Sequence, residues 1–216
     1  MDKVIIIGGK GTAINIAEQI VNATETYNAK IEFLGFAIDD ESLGRSINGY
    51  PVLCKTTELG RKYSQLDVKF IFALYKPQEM KKRVALLKSY GIDEKRFASF
   101  IHPSAYIGKS ARLGVGNVVL SHTSIQSNVR IGNFNIINSG VAIEHDSSMK
   151  DCNFIAAGVC VGANVRINDG AFIGLNSTVR EDVNIGDFAF VGMGSNVLRD
   201  VHAETTVFGN PARSAS

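Results

Sequence analysis

Ile167-Asn168-Asp169-Gly170-Ala171-Phe172, Ile173-Gly174-Leu175-Asn176-Ser177-Thr178, Val179-Arg180-Glu181-Asp182-Val183-Asn184, Ile185-Gly186-Asp187-Phe188-Ala189-Phe190 repeats one pattern every six residues. Each hexad opens on an aliphatic residue and carries a small or β-branched residue four places later. Read outward in both directions, the aliphatic place runs unbroken from Ile101 to Val197, seventeen times, always Ile, Val, Leu or Met. If about half of all residues are apolar, such a run has a chance of roughly 10⁻⁵. The place four later, from Ala105 to Val201, is always small, β-branched or Asn. Gly often follows the aliphatic residue, as at Gly108, Gly114, Gly132, Gly162, Gly174, Gly186 and Gly192. A period of six predicts a parallel β-helix, in which one aliphatic side chain per short strand points inward and stacked coils share a core. A β-sandwich would instead alternate with period two.

N-terminal to the repeat the texture differs. Val4–Ile7 is a short β-branched run, and Thr12 to Tyr27 carries Ala13, Ile16, Ala17 and Ile20 at helical spacing. Ile31–Ile38 reads as a second strand and Val68–Leu74 as a third. Pro77 is placed to open a helix through Tyr90, with Gly91 beyond its end, and Phe97–Ile101 as a last strand. Strands separated by helices predict a small parallel sheet of Rossmann-like type over residues 1–100.

The chain has 216 residues, 45% hydrophobic and 20% charged, enough to bury a large core. Residues 1–100 hold 15 Lys+Arg and 12 Asp+Glu; residues 101–216 hold 8 and 9. That balance gives no basic stripe for nucleic acid. Lys81-Lys82-Arg83 is expected on a solvated helix face. No stretch of about 18 apolar residues would span a bilayer, and the run after Met1 is too short for a secretion signal. Cys54, Cys152 and Cys160 are too few and too irregularly spaced for a disulfide framework or a zinc site, so the expected setting is a reducing cytoplasm.

Four histidines are candidates for chemistry. His102, His122 and His202 read as a linker residue, a surface residue and a solvated end-of-coil residue. His145 lies in Ile143-Glu144-His145-Asp146, two places after an inward aliphatic, which points it out near a corner between carboxylates. Such neighbours favour a basic imidazole in a fixed tautomer, a general base. From the residues alone, a solvated histidine in a polar corner is equally open. Asn138, just before that hexad, either faces an acceptor or forms a structural ladder. Gly8, Gly9 and Gly11 follow a strand and precede a helix, a loop that can approach phosphate or form only a tight turn. The third glycine of the dinucleotide fingerprint is absent, with Ile14 in its place, so NAD is not expected.

The repeat [aliphatic]-Gly-x-x-[small]-x, together with Gly209-Asn210-Pro211-Ala212-Arg213 near the end, resembles the left-handed β-helix acyltransferases. Gly8-Gly9-Lys10-Gly11-Thr12-Ala13, Asp39-Asp40 and Asn48-Gly49-Tyr50-Pro51-Val52 resemble the sugar O-/N-acetyltransferases of the sialic acid O-acetyltransferase type, including enzymes that acetylate UDP-4-amino-sugars. The implied fold class is an α/β Rossmann-like N-terminal domain, residues 1–100, followed by an all-β left-handed parallel β-helix, residues 101–216.

The resemblance implies an acetyl-CoA-dependent N-acetyltransferase acting on a nucleotide-linked amino sugar, a homotrimer with no metal, no nucleic-acid partner and no membrane. It implies His145 as base and Asp146 as the acid that raises its basicity, with Glu144 secondary. It places Phe154, Leu175 and Met193 against the coenzyme, and Gly9, Lys10, Gly11, Thr12, Asp39, Asp40 and Asn138 toward the acceptor. Gly158 is a candidate for an oxyanion donor, and Arg180, Arg199 and Arg213 for phosphate partners. The family's Gly-His-Gly is replaced here by Gly11-Thr12-Ala13, and its Gly-Asn/Asp turn by Leu74-Tyr75-Lys76-Pro77, where Tyr75 is expected to add bulk beside the acceptor pocket. Competing readings are a sugar O-acetyltransferase, a non-catalytic β-helix binding protein and, least supported, a zinc carbonic anhydrase.

Overall fold

The computed structural model describes residues 1–215; Ser216, the last residue of the expected second domain, lies outside them. Every hexad forms a two-residue strand ending on its aliphatic residue, from Phe100–Ile101 to Asn196–Val197. Strands eighteen residues apart pair in parallel, as Ile136↔Phe154 and Ile137↔Ile155 show, so three hexads make one coil. The prism has three faces. The apolar face carries Val118, Ile136, Phe154, Phe172 and Phe190 outward; the small-residue face carries Ser124, Ala142, Cys160 and Thr178; the basic face carries Arg112, Arg130, Ser148 and Arg166.

The inward residues from Val119 to Val197 are at most 5% exposed and form one core. Ile101, at the open end of the first coil, is 41% exposed because no earlier coil covers it. From Leu113 to Val191, corners turn through the residue three places after each inward aliphatic, which adopts a left-handed conformation. That place is Gly at Gly116, Gly140, Gly158, Gly170 and Gly194, Asn or Asp at Asn128, Asp146, Asn164, Asn176 and Asp182, and a bulkier residue at His122, Phe134, Cys152 and Phe188. Inside one corner column Asn117, Asn135 and Asn153 are fully buried, each side-chain oxygen accepting the N–H of the next coil at 2.7–2.9 Å. These bonds remove the penalty of burying an amide.

The expected fold class needs correction in its N-terminal half. A Rossmann-like domain needs full helices crossing over a parallel sheet. Here the five strands are β1 (Asp2–Ile7), β2 (Ile31–Ala37), β3 (Ser46–Ile47), β4 (Tyr50–Cys54) and β5 (Lys69–Phe72), in the order β3-β4-β2-β1-β5. Helix α1 (Thr12–Tyr27) is the one long crossover; β2 reaches β4 through a 3₁₀ turn and the antiparallel β3–β4 pair, and α2 (Leu59–Lys62) is a single turn. The molecule is mostly short parallel strands with few helices, and no Rossmann-like domain is formed. The sheet's core is also shared: Ile7, Phe36 and Phe72 belong to the same cluster as Val118, Ile136, Phe154 and Phe172 of the apolar face.

Local boundaries shift for identifiable reasons. Helix α3 (Met80–Ser89) begins three residues after Pro77, because Gln78 turns at φ 61 and Glu79 N–H closes onto Lys76 O. Phe100–Ile101 pairs with Val118–Val119 and is the first strand of the β-helix rather than the last of the sheet, while Phe97 makes a single bridge to Phe70. Lys81 is not simply solvated: it pairs with Glu204 at 2.5 Å and lies 5.5 Å from the Phe188 ring.

Candidate functional site

Residues 144–147 form the corner between the small-residue face and the basic face. His145 projects there from between the small residues Ser127 and Ala163, which hold the same place one coil before and one coil after. Its side chain is 56% exposed. Nδ1 lies 2.8 Å from Asp146 Oδ2; with the proton on Nδ1 it donates to that oxygen and leaves the Nε2 lone pair facing outward. Asp146 can place its carboxylate beside its own neighbour because it sits at φ 61. Its other oxygen accepts from Asn128 Nδ2 at 2.9 Å. The His145 contact first, and Asn128 second, hold the Asp146 carboxyl below its ordinary value, so it stays anionic.

Phe154, Leu175 and Met193 line one cavity of about 1060 Å³ along a different edge, between the apolar and small-residue faces. Phe154, Phe172 and Phe190 stack on its wall, with centroids 4.9 and 5.3 Å apart. This column of rings is written in the sequence at intervals of eighteen, though the reading of single hexads missed all but Phe154. Leu175 and Met193 are 50% and 76% exposed, unusually open for such apolar side chains. Between them Gly174 lets the coils close, since a Cβ there would lie 2.6 Å from Met193 N. A largely apolar groove with accessible backbone suits a pantetheine arm.

Asn138 lines the same cavity, buried, and its Nδ2 donates to Ile155 O at 2.9 Å. Thr12 and Asn15 of α1 reach this cavity too. Gly158 turns its corner at φ 72 and its N–H is spent on Ser139 O at 3.1 Å, so it is not the free donor an oxyanion needs.

Gly9, Lys10, Asp39 and Asp40 line a second cavity, of about 400 Å³, with Thr56, Tyr75, Lys76 and Arg83. Lys10 Nζ meets Asp40 Oδ2 at 2.6 Å, and this contact, followed by Ser42, pulls the Asp40 carboxyl down to about 2. Asp39 is used internally: its two oxygens accept from Thr56 N–H at 2.8 Å and Thr56 Oγ1 at 2.6 Å. Gly11 sits at the N-cap of α1 at φ 45, with no side chain capping the helix. Tyr75 borders this cavity, and its hydroxyl turns away and donates to Phe134 O at 2.7 Å, bolting the sheet to the β-helix. Among the described residues no group of three or more His, Cys, Asp or Glu is placed to hold a metal ion.

One chain therefore brings together His145 with Asp146, Phe154 with Leu175 and Met193, and Lys10 with Asp40. The first two groups lie on different edges of the prism.

Neither protein-family models nor curated proteins match the sequence. Solved structures do. A histidine-to-asparagine variant of perosamine N-acetyltransferase from Caulobacter crescentus, in complex with CoA and GDP-perosamine, is 26% identical with a TM-score of 0.85, covering 100% of this chain and 98% of that one. The acetyltransferase domain of PglB from Neisseria gonorrhoeae, in complex with acetyl coenzyme A, is 25% identical with a TM-score of 0.84, over 99% and 98%. WeeI from Acinetobacter baumannii is 27% identical with a TM-score of 0.82, over the whole of both chains. The likeness is to acetyltransferases. It spans both halves of the chain, and with it comes the assignment of the protein as an acyltransferase that uses a coenzyme A thioester. No helix of the described residues is long and apolar enough to cross a membrane.

Proposed function

We propose that the protein transfers an acetyl group from acetyl-CoA to the amine of a nucleotide-linked amino sugar. The observation that carries this reading is the exposed His145–Asp146 pair at 2.8 Å on a chain that matches nucleotide-sugar N-acetyltransferases from end to end.

Acetyl-CoA would supply a thioester carbonyl open to attack. His145 Nε2 takes a proton from the attacking amine while Nδ1–H stays on Asp146, which stabilises the imidazolium that forms. The same nitrogen then returns the proton to the departing thiolate. Phe154, Leu175, Met193 and the glycine backbone between them hold the pantetheine arm. The turn Gly9-Lys10-Gly11 and Asp39-Asp40 hold the nucleotide, with Lys10 countering phosphate charge, and Thr12 and Asn138 sit where the sugar approaches the thioester. Residues 1–100 thus serve the acceptor and residues 101–216 the transfer. Because His145 and the Leu175–Met193 edge are separate within one chain, the working site forms between copies, and a homotrimer of prisms packed by their small-residue faces supplies it. We place the reaction in the cytoplasm, where acetyl-CoA is made.

Purified protein with acetyl-CoA and a panel of UDP-, dTDP- and GDP-linked sugars tests this, read as free thiol released. Release with amino sugars is expected. Release with hydroxyl acceptors alone would replace the amine reading by O-acetylation.

A further inference from the structure

We infer that Asn128 is a positioning residue for the proton-accepting histidine, acting through Asp146; the inference rests on the assignment of His145 as base. Asn128 Nδ2 donates to Asp146 Oδ1 at 2.9 Å, and His145 Nδ1 meets Asp146 Oδ2 at 2.8 Å. The carboxylate is thus held at both oxygens. Half exposed, it would otherwise rotate and trade the imidazole for water.

The fold lines these groups up. Asn128 and Asp146 hold the same corner place one coil apart, both at φ 61. Asn128 N–H is fixed on Ser110 Oγ at 2.9 Å, and Asp146 N–H on Ser127 O at 3.1 Å. The two side chains leave stacked backbones in register.

The next two coils carry an internal comparison. Asn164 Nδ2 donates to Asp182 Oδ1 at 2.5 Å, from φ 57 and 61, in the same column. There the residue before the aspartate is Glu181, not a histidine. An Asn–Asp pair is therefore a building unit of this edge, and one copy of it has been joined to an imidazole. Both asparagines serve the fold alike; Asn128 alone serves the reaction.

Asn128→Gly and Asn164→Gly separate the two roles in the full-length chain. Glycine accepts the left-handed turn, so each change deletes an amide without strain. The two variants should melt at similar temperatures. Asn128→Gly should lower kcat about tenfold, the loss of one charge-assisted hydrogen bond, with KM for both substrates unchanged. Asn164→Gly should stay within about twofold of the parent in kcat, an effect no larger than an ordinary surface change. In an Asp146→Ala background Asn128→Gly should add nothing, since the route through the carboxylate is already cut. Nitrogen-15 NMR of the imidazole should show one Nδ1–H form in the parent and a mixture in Asn128→Gly. Unchanged kcat in Asn128→Gly, beside an inactive His145→Ala, would overturn this inference alone. Full activity in His145→Ala would overturn the assignment of the base and this inference with it.

Discussion

His145 and Leu175 stand on different edges of the same prism, one after a strand of the small-residue face and the other after a strand of the apolar face. In the function proposed above, the base on one edge and the coenzyme groove on another work together across two copies of the chain. Mixing tests this. His145→Ala removes the proposed base, and Ala157→Trp fills the groove, which Ala157 lines. Each variant alone should be nearly inactive. Co-refolded in equal amounts, they should regain about a quarter of the parent rate, the share of randomly formed interfaces that receive an intact edge from each side. Recovery of no activity, with mixed oligomers present, would place the whole site within one chain.

The proposed acceptor cavity carries its own prediction. Lys10 Nζ is held by Asp40 at 2.6 Å but is 64% exposed, so it can leave for a stronger anion. Lys10→Ala should raise KM for the nucleotide sugar about tenfold, one charge-assisted contact to phosphate, and leave KM for acetyl-CoA alone. Isothermal titration with the nucleoside diphosphate reads the same contact without turnover. Equal affinity in both proteins would remove Lys10 from the acceptor site.

His102 makes the junction sensitive to pH. It is 3% exposed; Ser104 N–H donates to its Nδ1 at 3.2 Å, and Nε2–H donates to Asn22 Oδ1 at 3.2 Å. Burial first, and the nearby His122 second, push its pKa below the ordinary 6.5. A buried neutral histidine binds fewer protons than its unfolded counterpart, so its contribution to stability is complete above about 6.5 and shrinks as the pH falls through that value toward the folded one. Tm should drop between pH 7.5 and 5.5, and His102→Gln should flatten that slope. A slope unchanged in His102→Gln would assign the pH response elsewhere.

The core sets the scale of stability. Ile155 is fully buried between Ile137 and Ile173 on paired strands. Ile155→Ala should destabilise by about 2–5 kcal/mol, the transfer loss plus a cavity that stacked coils cannot close. Urea unfolding measures it; a loss below about 1 kcal/mol would mean the coils relax around the gap.

The six-residue period made the coils legible, because each inward aliphatic of the stack is fixed by the one eighteen residues away. The corner rule was also partly in the sequence: Gly140, Asp146, Gly158 and Asn164 are residues that tolerate a left-handed turn, whereas Phe134, Cys152 and Phe188 hold the same place with no such preference. So was the aromatic column, since Phe154, Phe172 and Phe190 recur with the coil rather than the hexad. The N-terminal half was misread because alternating strand-like and helix-like runs do not say how long a crossover is. Residues 41–62 form short turns and a hairpin where a full helix was needed. Of the site, the His145–Asp146 pair was legible as adjacent residues. The roles of Asp39 and Tyr75 were not, because their partners Thr56 and Phe134 lie 17 and 59 residues away.

The most direct test of the account is mass spectrometry of a nucleotide-linked amino sugar incubated with acetyl-CoA and either the parent protein or His145→Ala. The parent should add one acetyl group to the sugar amine. His145→Ala should bind coenzyme A as tightly, yet acetylate at least about a hundredfold more slowly. Acetylation at the parent rate by His145→Ala would contradict the account.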